Sequence, residues 1–389
     1  MDVYKKASLC RPGNFQKIYL FAFIVCVCIL ATPSLSFSGD AVGENEPLDV
    51  KIGQMIMIGF RGLTVNDKSP VIADIKKMKI GGVILFDYDV PSQSPVRNIE
   101  SPGQVRFLVS TLQGVSSIPL FIAIDQEGGK VNRLKEKFGF PPTVSEGYLG
   151  GIDDPEVTKK YAERTADTLA GLGINLNFAP VVDLNINPDN PVIGRMERSF
   201  SADPEVVIRR SMVTIDAFHT HGILSAIKHF PGHGSSTADS HKGFVDVTES
   251  WSPDELKPFG AIIQSGGCDM VMTAHIFNAR LDPLWPATLS HRIIGKILRD
   301  DMGFNGVVVS DDMQMNAIRS FYGLEIAIKM AIGAGCDILV FANNSIFDEN
   351  IAARAIDVIK KLVADGEIKN KRIDESYSRI MELKEKLKR

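Results

Sequence analysis

The sequence predicts a single (β/α)8 barrel, and three observations lead to that fold class. The chain has 389 residues, 44% of them hydrophobic, which is enough for one large α/β domain with a sizeable core. Short runs rich in Val, Ile and Met alternate with longer amphipathic runs, as strands buried on both faces alternate with helices. Eight such strand–helix pairs follow one another, as in a barrel. A doubly wound open sheet is the alternative architecture.

The predicted elements follow in chain order. The eight predicted strands are residues 54–59, 82–85, 120–125, 176–179, 225–229, 270–273, 306–310 and 338–340. The clearest helical patterns between them cover residues 157–172, 205–221 and 324–334. Residues 351–389 are amphipathic and highly charged, with Lys384 among the charges, and this pattern predicts a solvated helix face packed on the barrel.

The N-terminus differs from the rest of the chain. Four basic residues precede an uncharged apolar run at residues 18–31, and small residues follow at 33–38. This order is typical of a secretory signal peptide, so we expect residues 1–38 to direct export and residues 39–389 to form the barrel domain. The mature chain should begin between Phe37 and Ala41, in the periplasm or outside the cell. The apolar run is short for a membrane-spanning helix, which needs about 20 residues, but an uncleaved anchor is the alternative.

Charge and cysteine content narrow the class of partner. The net charge is −4 and no basic block follows the N-terminal segment, so we expect no nucleic-acid partner. We also expect no stable membrane partner and a monomer. Cys268 and Cys336 each lie at the edge of a predicted strand, in apolar surroundings. They are predicted to be core residues, not a disulfide or a metal site.

The polar run KHFPGHG at residues 228–234 directly follows a predicted strand, and Asp239 and His241 come soon after it. This region holds three of the seven histidines in the chain. Polar groups on a long loop after a buried strand are typical of the catalytic face of a barrel. The region is therefore the first candidate for an active site.

Other polar fragments follow other predicted strands. DQEGG at residues 125–129 ends the third strand, with Arg133 shortly after it, and Asp183 and Arg198 come after the fourth. SDDM at residues 310–313 ends the seventh strand. The carboxyl ends of barrel strands meet at one face, so these side chains should converge on one pocket.

These motifs together resemble the family 3 glycoside hydrolases, and within them the β-N-acetylhexosaminidases that act on bacterial cell-wall fragments. The resemblance runs from about residue 54 to 387, and DQEGG, KHFPGHG and SDDM match the family pattern almost letter for letter. It implies an exo-acting, retaining enzyme that removes terminal β-linked GlcNAc from muropeptides or related GlcNAc conjugates. The reaction would pass through a covalent glycosyl-aspartate, with no cofactor and no metal.

The resemblance also implies the catalytic residues. Asp311 matches the nucleophile, and the alternative is that it only caps the following helix. Asp312 should begin the next loop and point away from the pocket. His241, paired with Asp239, matches a histidine that replaces the usual carboxylate as acid/base. An imidazole suits this role because its ordinary pKa of about 6.5 lies near neutrality.

Five further residues are implied as sugar ligands. Asp125 would hold two ring hydroxyls, whereas the others would surround the hydroxyls and the N-acetyl group; these are Arg133, Arg198, Lys228 and His229. The alternative for Lys228 is an ion pair with Asp125 or Asp183 that does not touch a ligand.

The family pattern leaves the choice of one arginine open. The family motif Ile-Gly-x-Arg-Ser-Phe appears here with two extra residues, so either Arg195 or Arg198 is its arginine. Glu127 and His233 are expected to be structural.

Other functions remain as alternatives. A zinc hydrolase using His229, His233, His241 and Asp239 is disfavoured because Pro and Gly residues break any helical spacing there. A sugar-binding protein without activity is disfavoured by the complete catalytic set. A β-glucosidase or β-xylosidase of the same family would carry a second domain that supplies a glutamate acid, for which this chain has no room. A phosphorylase stays open, because a histidine does not repel phosphate as a carboxylate does.

Overall fold

A computed structural model describes residues 46–152 and 154–388. Within them, eight parallel strands hydrogen-bond in sequence order and close into a barrel. The strands are β1 (Ile56–Gly59), β2 (Gly82–Leu85), β3 (Phe121–Ile124), β4 (Leu176–Asn177), β5 (Leu224–Phe230), β6 (Met270–Thr273), β7 (Val307–Asp312) and β8 (Ile338–Phe341). The closure between β1 and β8 pairs Ile56 with Leu339. The predicted (β/α)8 barrel is confirmed.

Helices surround the barrel. They are α1 (Leu48–Gln54), α2 (Pro70–Ala73), α3 (Pro102–Val115), α4 (Glu146–Gly150), α5 (Pro155–Leu172), α6 (Pro204–Thr220), α7 (Lys257–Gln264), α8 (Asn316–Ala334), α9 (Ile351–Ala364) and α10 (Asn370–Glu385). Short 3₁₀ helices cover Glu136–Phe138, Pro253–Leu256, Ala287–Leu289 and Lys386–Lys388, and π-helical segments cover Asp74–Met78 and Arg292–Asp301.

Local sequence signals set the ends of the longer helices. The Asp154 side chain accepts a hydrogen bond from the backbone N–H of Glu156, and Pro155 occupies the first turn of α5. The same helix ends at Gly173, whose φ of 79° favours glycine. Asp203 caps α6 in the same way. These signals fix where each crossover helix returns the chain to the barrel.

Most strand ends lie within two residues of the prediction, and the carboxyl ends of β4 and β7 are the two differences that affect the site. β4 has only two residues, although the predicted strand ran to residue 179. β7 continues two residues beyond its predicted end, so Asp312 lies in the strand and not in the loop, and that part of the prediction is wrong. The extension follows from pairing with β8, because the Met313 N–H donates to Val340 O, and the Asp312 side chain adds a bond by accepting from the Ala342 N–H. A register shift between Val309 and Asp312 accompanies it.

The N-terminal face of the barrel is closed by α10. Lys384 is fully buried there, and its Nζ donates to Gln54 Oε1 at 2.6 Å and to Gly81 O at 2.8 Å. Burial lowers the pKa of this lysine to about 7. The expectation of a solvated charged face is therefore wrong for Lys384. Arg372 on the same helix donates to a buried carboxylate, that of Asp337.

Three further points of the fold concern the two cysteines, membrane-spanning helices and the signal peptide. Cys268 is half-buried and Cys336 is buried, and both are free thiols. Among the described residues, none of the helices combines the length and apolar character needed to cross a bilayer. The predicted signal peptide lies outside the described residues, so both it and export remain predictions.

Candidate active site

A pocket of about 320 Å³ opens at the carboxyl ends of the strands. This volume is at the lower end of the range of roughly 300–1,000 Å³ that is usual for small-molecule sites. All eight predicted site residues line it, namely Asp125, Arg133, Arg198, Lys228, His229, Asp239, His241 and Asp311. The structure therefore brings together side chains from β5, β7 and the loops after β3, β4 and β5.

Lys228 lies near the carboxyl end of β5 and is almost completely buried, with 2% of its side chain exposed. Its Nζ donates to Asp125 Oδ1 at 2.9 Å and lies 2.6 Å from Glu127 Oε1. Burial lowers the pKa of this lysine, but the two carboxylates outweigh burial and raise it. The ammonium group is therefore held in its charged form with one N–H left over.

Glu127 binds Arg198 as well as Lys228. Arg198 Nε and Nη2 each donate to the Glu127 carboxylate at 2.7 Å, in a bidentate pair. Burial raises the pKa of Glu127, but the two cations outweigh it and bring the pKa to about 2. Glu127 thus holds two cations at the pocket wall, which fits the structural role expected from the sequence.

The two extra residues form a local bulge that leaves Arg198 in the pocket. Glu197 adopts a φ of 57°, and its carbonyl accepts from the Gly147 N–H. Arg195 is exposed and pairs with exposed Asp189 at 3.3 Å. The structure therefore places Arg198, and not Arg195, at the position expected for a ligand.

Asp183 orients His229. Its carboxylate accepts from His229 Nδ1 at 2.6 Å and also from the backbone N–H of His233 at 2.8 Å. Nε2 of His229 is left toward the pocket, 3.3 Å from Arg198 Nη2. Burial lowers the pKa of His233 to about 4, so this ring is neutral near pH 7 and supports the loop.

Asp311 is half-buried in β7, at the centre of a group of imidazoles. Burial raises the pKa of its carboxyl group, but His275, His229 and His241 together outweigh burial and lower it. A strand-held carboxylate that stays ionised is the requirement for a nucleophile. His275 is not among the predicted site residues, although it closely follows β6 and therefore belongs to the same face of the barrel.

His275 is fixed below the pocket floor. It is 2% exposed, and its Nε2 donates to Asp312 O at 2.9 Å. Asp312 itself is buried, and its Oδ1 accepts from the N–H groups of Gln314 and Ala342, both at 3.0 Å. Burial raises the pKa of Asp312 to about 6. The two neighbouring aspartates are therefore in different environments. The Asp312 carboxylate accepts hydrogen bonds from backbone N–H groups just after β7 and β8.

Asp239 and His241 lie on the loop after β5, at the pocket rim. Asp239 Oδ1 is 2.8 Å from His241 Nδ1, and the His241 side chain is 58% exposed. Desolvation lowers the pKa of His241, but the hydrogen bond with Asp239 and the negative charges of Asp311 and Asp239 raise it overall. This arrangement leaves Nε2 able to give or take a proton.

Asp125 and Arg133 complete the polar wall. Arg133 Nη2 lies 3.5 Å from Asp125 Oδ2, and Arg133 Nε is buried without a hydrogen-bond partner. A buried donor of this kind is costly unless a ligand satisfies it. In the part of the chain that the structure describes, no cluster of three or more His, Cys, Asp or Glu side chains could hold a metal ion.

The fold and pocket define a barrel enzyme with an ionised strand-end carboxylate, a rim histidine and a set of donors for a hydroxyl-rich ligand. The family model described as the glycosyl hydrolase family 3 N terminal domain matches residues 47–383. The chain belongs to glycosyl hydrolase family 3.

Individual relatives agree with this assignment. Beta-hexosaminidase A of Pseudoalteromonas piscicida is 33% identical over 394 residues, which cover 90% of this chain and 63% of that protein. A beta-hexosaminidase of Tolumonas auensis is 37% identical over 292 residues, with 74% of this chain and 83% of the relative covered. The chain therefore spans less than two thirds of the Pseudoalteromonas protein.

Solved structures show the same fold. A glycoside hydrolase family 3 beta-N-acetylglucosaminidase from Paenibacillus sp. str. FPU-7 superposes with a TM-score of 0.80 at 36% identity, covering 88% of this chain and 63% of that one. A beta-N-acetylhexosaminidase from Beutenbergia cavernae DSM 12333 has a TM-score of 0.79 at 27% identity, covering 88% of this chain and 99% of that one.

Proposed function

We propose that this chain is an exo-acting, retaining β-N-acetylglucosaminidase that removes terminal β-linked GlcNAc from cell-wall muropeptides or related conjugates. The observation that carries the proposal is the presence of Asp311 and the Asp239–His241 pair in one pocket. The names of the relatives support the same activity, since the Pseudoalteromonas and Tolumonas proteins are both named beta-hexosaminidases.

In the proposed first step, the Asp311 carboxylate attacks the anomeric carbon and forms a glycosyl ester. The bond to the leaving oxygen breaks, and His241 Nε2 gives its proton to that oxygen. Asp239 holds Nδ1 of the same ring and stabilises the protonated imidazole. The raised pKa of His241 favours the protonated form that this step needs.

In the proposed second step, the neutral His241 takes a proton from water, and the water oxygen attacks the anomeric carbon. The bond to Asp311 breaks and the carboxylate is restored, so the configuration of the sugar is retained. The exposure of His241 supports this role, because water reaches the ring directly from solvent.

The wall residues would hold the GlcNAc ring. Lys228 and Arg198 are already fixed by carboxylates, so their remaining N–H groups are oriented before a ligand arrives. Together with His229, Asp125 and Arg133 they offer donors and acceptors to the hydroxyls and the N-acetyl group.

A panel of aryl β-glycosides tests the proposal. Aryl β-GlcNAc should be cleaved far faster than aryl β-glucoside or β-xyloside, and equal or reversed rates would favour the glucosidase or xylosidase reading. The same assay with added phosphate tests the acceptor. Formation of a sugar 1-phosphate in place of the free sugar would identify a phosphorylase.

Export is proposed separately, from the N-terminal sequence. The segment 1–38 should be removed, leaving a mature chain that begins between Phe37 and Ala41. N-terminal sequencing of the secreted protein checks this. An intact Met1 in the soluble cell fraction would show that the segment is not a signal.

A further inference from the structure

A row of aromatic rings lies where β5, β6 and β7 end. We call it the aromatic ribbon, and its members are Phe277, Phe244, Phe321, Tyr322 and Trp285. Neighbouring ring centroids are 5.3, 5.7, 6.5 and 5.6 Å apart in that order. Interplanar angles between 39° and 55° keep the rings tilted along the row. The ribbon is thus one continuous aromatic surface.

The ribbon is partly open to solvent, because two of its rings are exposed and the other three, Phe277, Tyr322 and Trp285, are half-buried. Phe244 is 42% exposed and Phe321 is 56% exposed, and Leu284 at the end of the row is 71% exposed. Single exposed hydrophobic residues are ordinary on protein surfaces, but a contiguous row of them marks a binding surface. The mechanism described above makes no use of these rings.

The ribbon begins on the loop that carries His241. Phe244 lies on the same loop as His241, a few residues further along the chain. Phe321 and Tyr322 lie near the start of α8, the helix that follows the Asp311 strand. Because His241 would protonate the leaving oxygen, the leaving group should extend past this loop. The ribbon therefore lies beside the His241 loop, on the side toward which we expect the leaving group to extend.

The base of the ribbon is held by backbone hydrogen bonds. The Phe277 N–H donates to Val245 O at 2.8 Å, and Phe277 O accepts from the Val247 N–H at 2.9 Å. At the other end, the Trp285 N–H donates to the Asp282 carboxylate at 3.3 Å. A surface that is already formed costs little to order when a ligand binds.

We propose that the aromatic ribbon binds the leaving-group part of the substrate, and that this part is an oligosaccharide of two or more pyranose residues. The proposal rests on the proposed function of the pocket. A pyranose ring has apolar C–H faces that pack on aromatic rings, while its hydroxyls remain in water. Half-exposed rings suit such a ligand, whereas an acyl chain needs full cover. The spacing between rings is close to the length of one pyranose residue, which favours a run of sugars.

The variant Phe321→Ala tests this directly, because Phe321 lies on α8 and not on the His241 loop. Wild-type kcat/KM should rise from the β-linked GlcNAc disaccharide to the tetrasaccharide. In the variant, kcat/KM for the tri- and tetrasaccharide should fall roughly three- to tenfold, as expected for the loss of one stacked ring. Cleavage of aryl β-GlcNAc should stay at the wild-type rate, since this substrate does not reach the ribbon.

The matched control is Phe107→Ala. Phe107 is 60% exposed on α3, away from the ends of β5 to β7. It should change neither the aryl nor the oligosaccharide rates. If Phe321→Ala left the tetrasaccharide rate unchanged, or lowered the aryl and tetrasaccharide rates equally, the ribbon would not be a leaving-group site.

A binding measurement separates the ribbon from the activity. The chain has two tryptophans, Trp285 in the ribbon and buried Trp251. In the Asp311→Asn variant, the GlcNAc tetrasaccharide should change tryptophan emission whereas the monosaccharide should not, and adding Trp285→Phe should remove the change. No emission change with the tetrasaccharide, or a change caused only by phospholipid vesicles, would overturn the proposal. Failure to cleave aryl β-GlcNAc would instead refute the proposed function and leave this titration as the test of the ribbon.

Discussion

Replacing Glu127 by Gln should destabilise the protein while leaving the shape of the side chain nearly unchanged. The carboxylate holds Lys228 and Arg198 at the pocket wall, and its side chain is 1% exposed. Its pKa falls from an ordinary 4.5 to about 2 in the folded protein, which corresponds to about 3 kcal/mol of stability at neutral pH. The cost of breaking a buried ion pair is similar, roughly 3–5 kcal/mol. Glu127→Gln should therefore lower the free energy of unfolding by about 3 kcal/mol at pH 7.

The sign of the pH dependence follows from the lowered pKa. A carboxylate of this kind stabilises the fold above its unfolded pKa of 4.5, and the effect is lost as the pH falls toward 2. The difference between wild type and variant should therefore shrink by about 1 kcal/mol between pH 7 and pH 3.5. Equilibrium urea unfolding, followed by circular dichroism at both pH values, measures it.

A second glutamate provides the control. Glu249 pairs with Arg280 on the surface, where its side chain is 84% exposed. Glu249→Gln should change the free energy of unfolding by less than about 1 kcal/mol at either pH. If both variants lost the same stability, or if the Glu127→Gln effect did not depend on pH, the ion cluster would not stabilise the fold as argued.

Three further predictions follow from the site and the barrel. Asp311→Asn should lose about three or more powers of ten in rate. Asp312→Asn should keep measurable turnover, because an amide oxygen can still accept from both backbone N–H groups. A fluorinated sugar probe that labelled Asp312 would reverse the assignment. His241→Ala should slow a poor leaving group by roughly 10²–10⁴-fold and a nitrophenyl leaving group much less in the glycosylation step, and equal losses would make His241 a sugar ligand or a structural group. Burial of Lys384 lowers its pKa to about 7, so wild-type stability should rise with pH above 7 by about 1 kcal/mol per unit relative to Lys384→Met, and parallel urea-midpoint profiles for the two proteins would contradict this.

The sequence predicted the strands well because barrel strands are buried on both faces and read as continuous apolar runs. The ends of the strands were less predictable. β7 continues through Asp311 and Asp312 because backbone groups of β8 pair with it. Two adjacent acidic residues carry no local signal that predicts a strand. Burial of Lys384 was missed for a similar reason, since its acceptors Gln54 and Gly81 are distant in the chain.

The pocket residues came from motifs, whereas their interactions required the structure. Lys228 meets Asp125 across 103 positions of the chain, and the sequence alone did not decide which acid it contacts. The sequence also did not decide whether Arg195 or Arg198 belongs to the pocket. The bulge at Glu197 in the structure places Arg198 there. His275 gave only a weak signal, because one histidine after a strand is more often a core residue than part of a site.

Closure of the barrel by α10 has a consequence for how the chain folds. Lys384 and Gln54 are 330 positions apart, so bringing them together costs about 5 kcal/mol of chain entropy, which is recovered only once the barrel is complete. Such distant contacts predict slow folding, and intermediates in which the edges of β1 and β8 are open to other chains. The pocket also depends on the last strand, because the Ala342 N–H, just after β8, donates to the Asp312 carboxylate. A partly formed barrel should therefore have no residual activity.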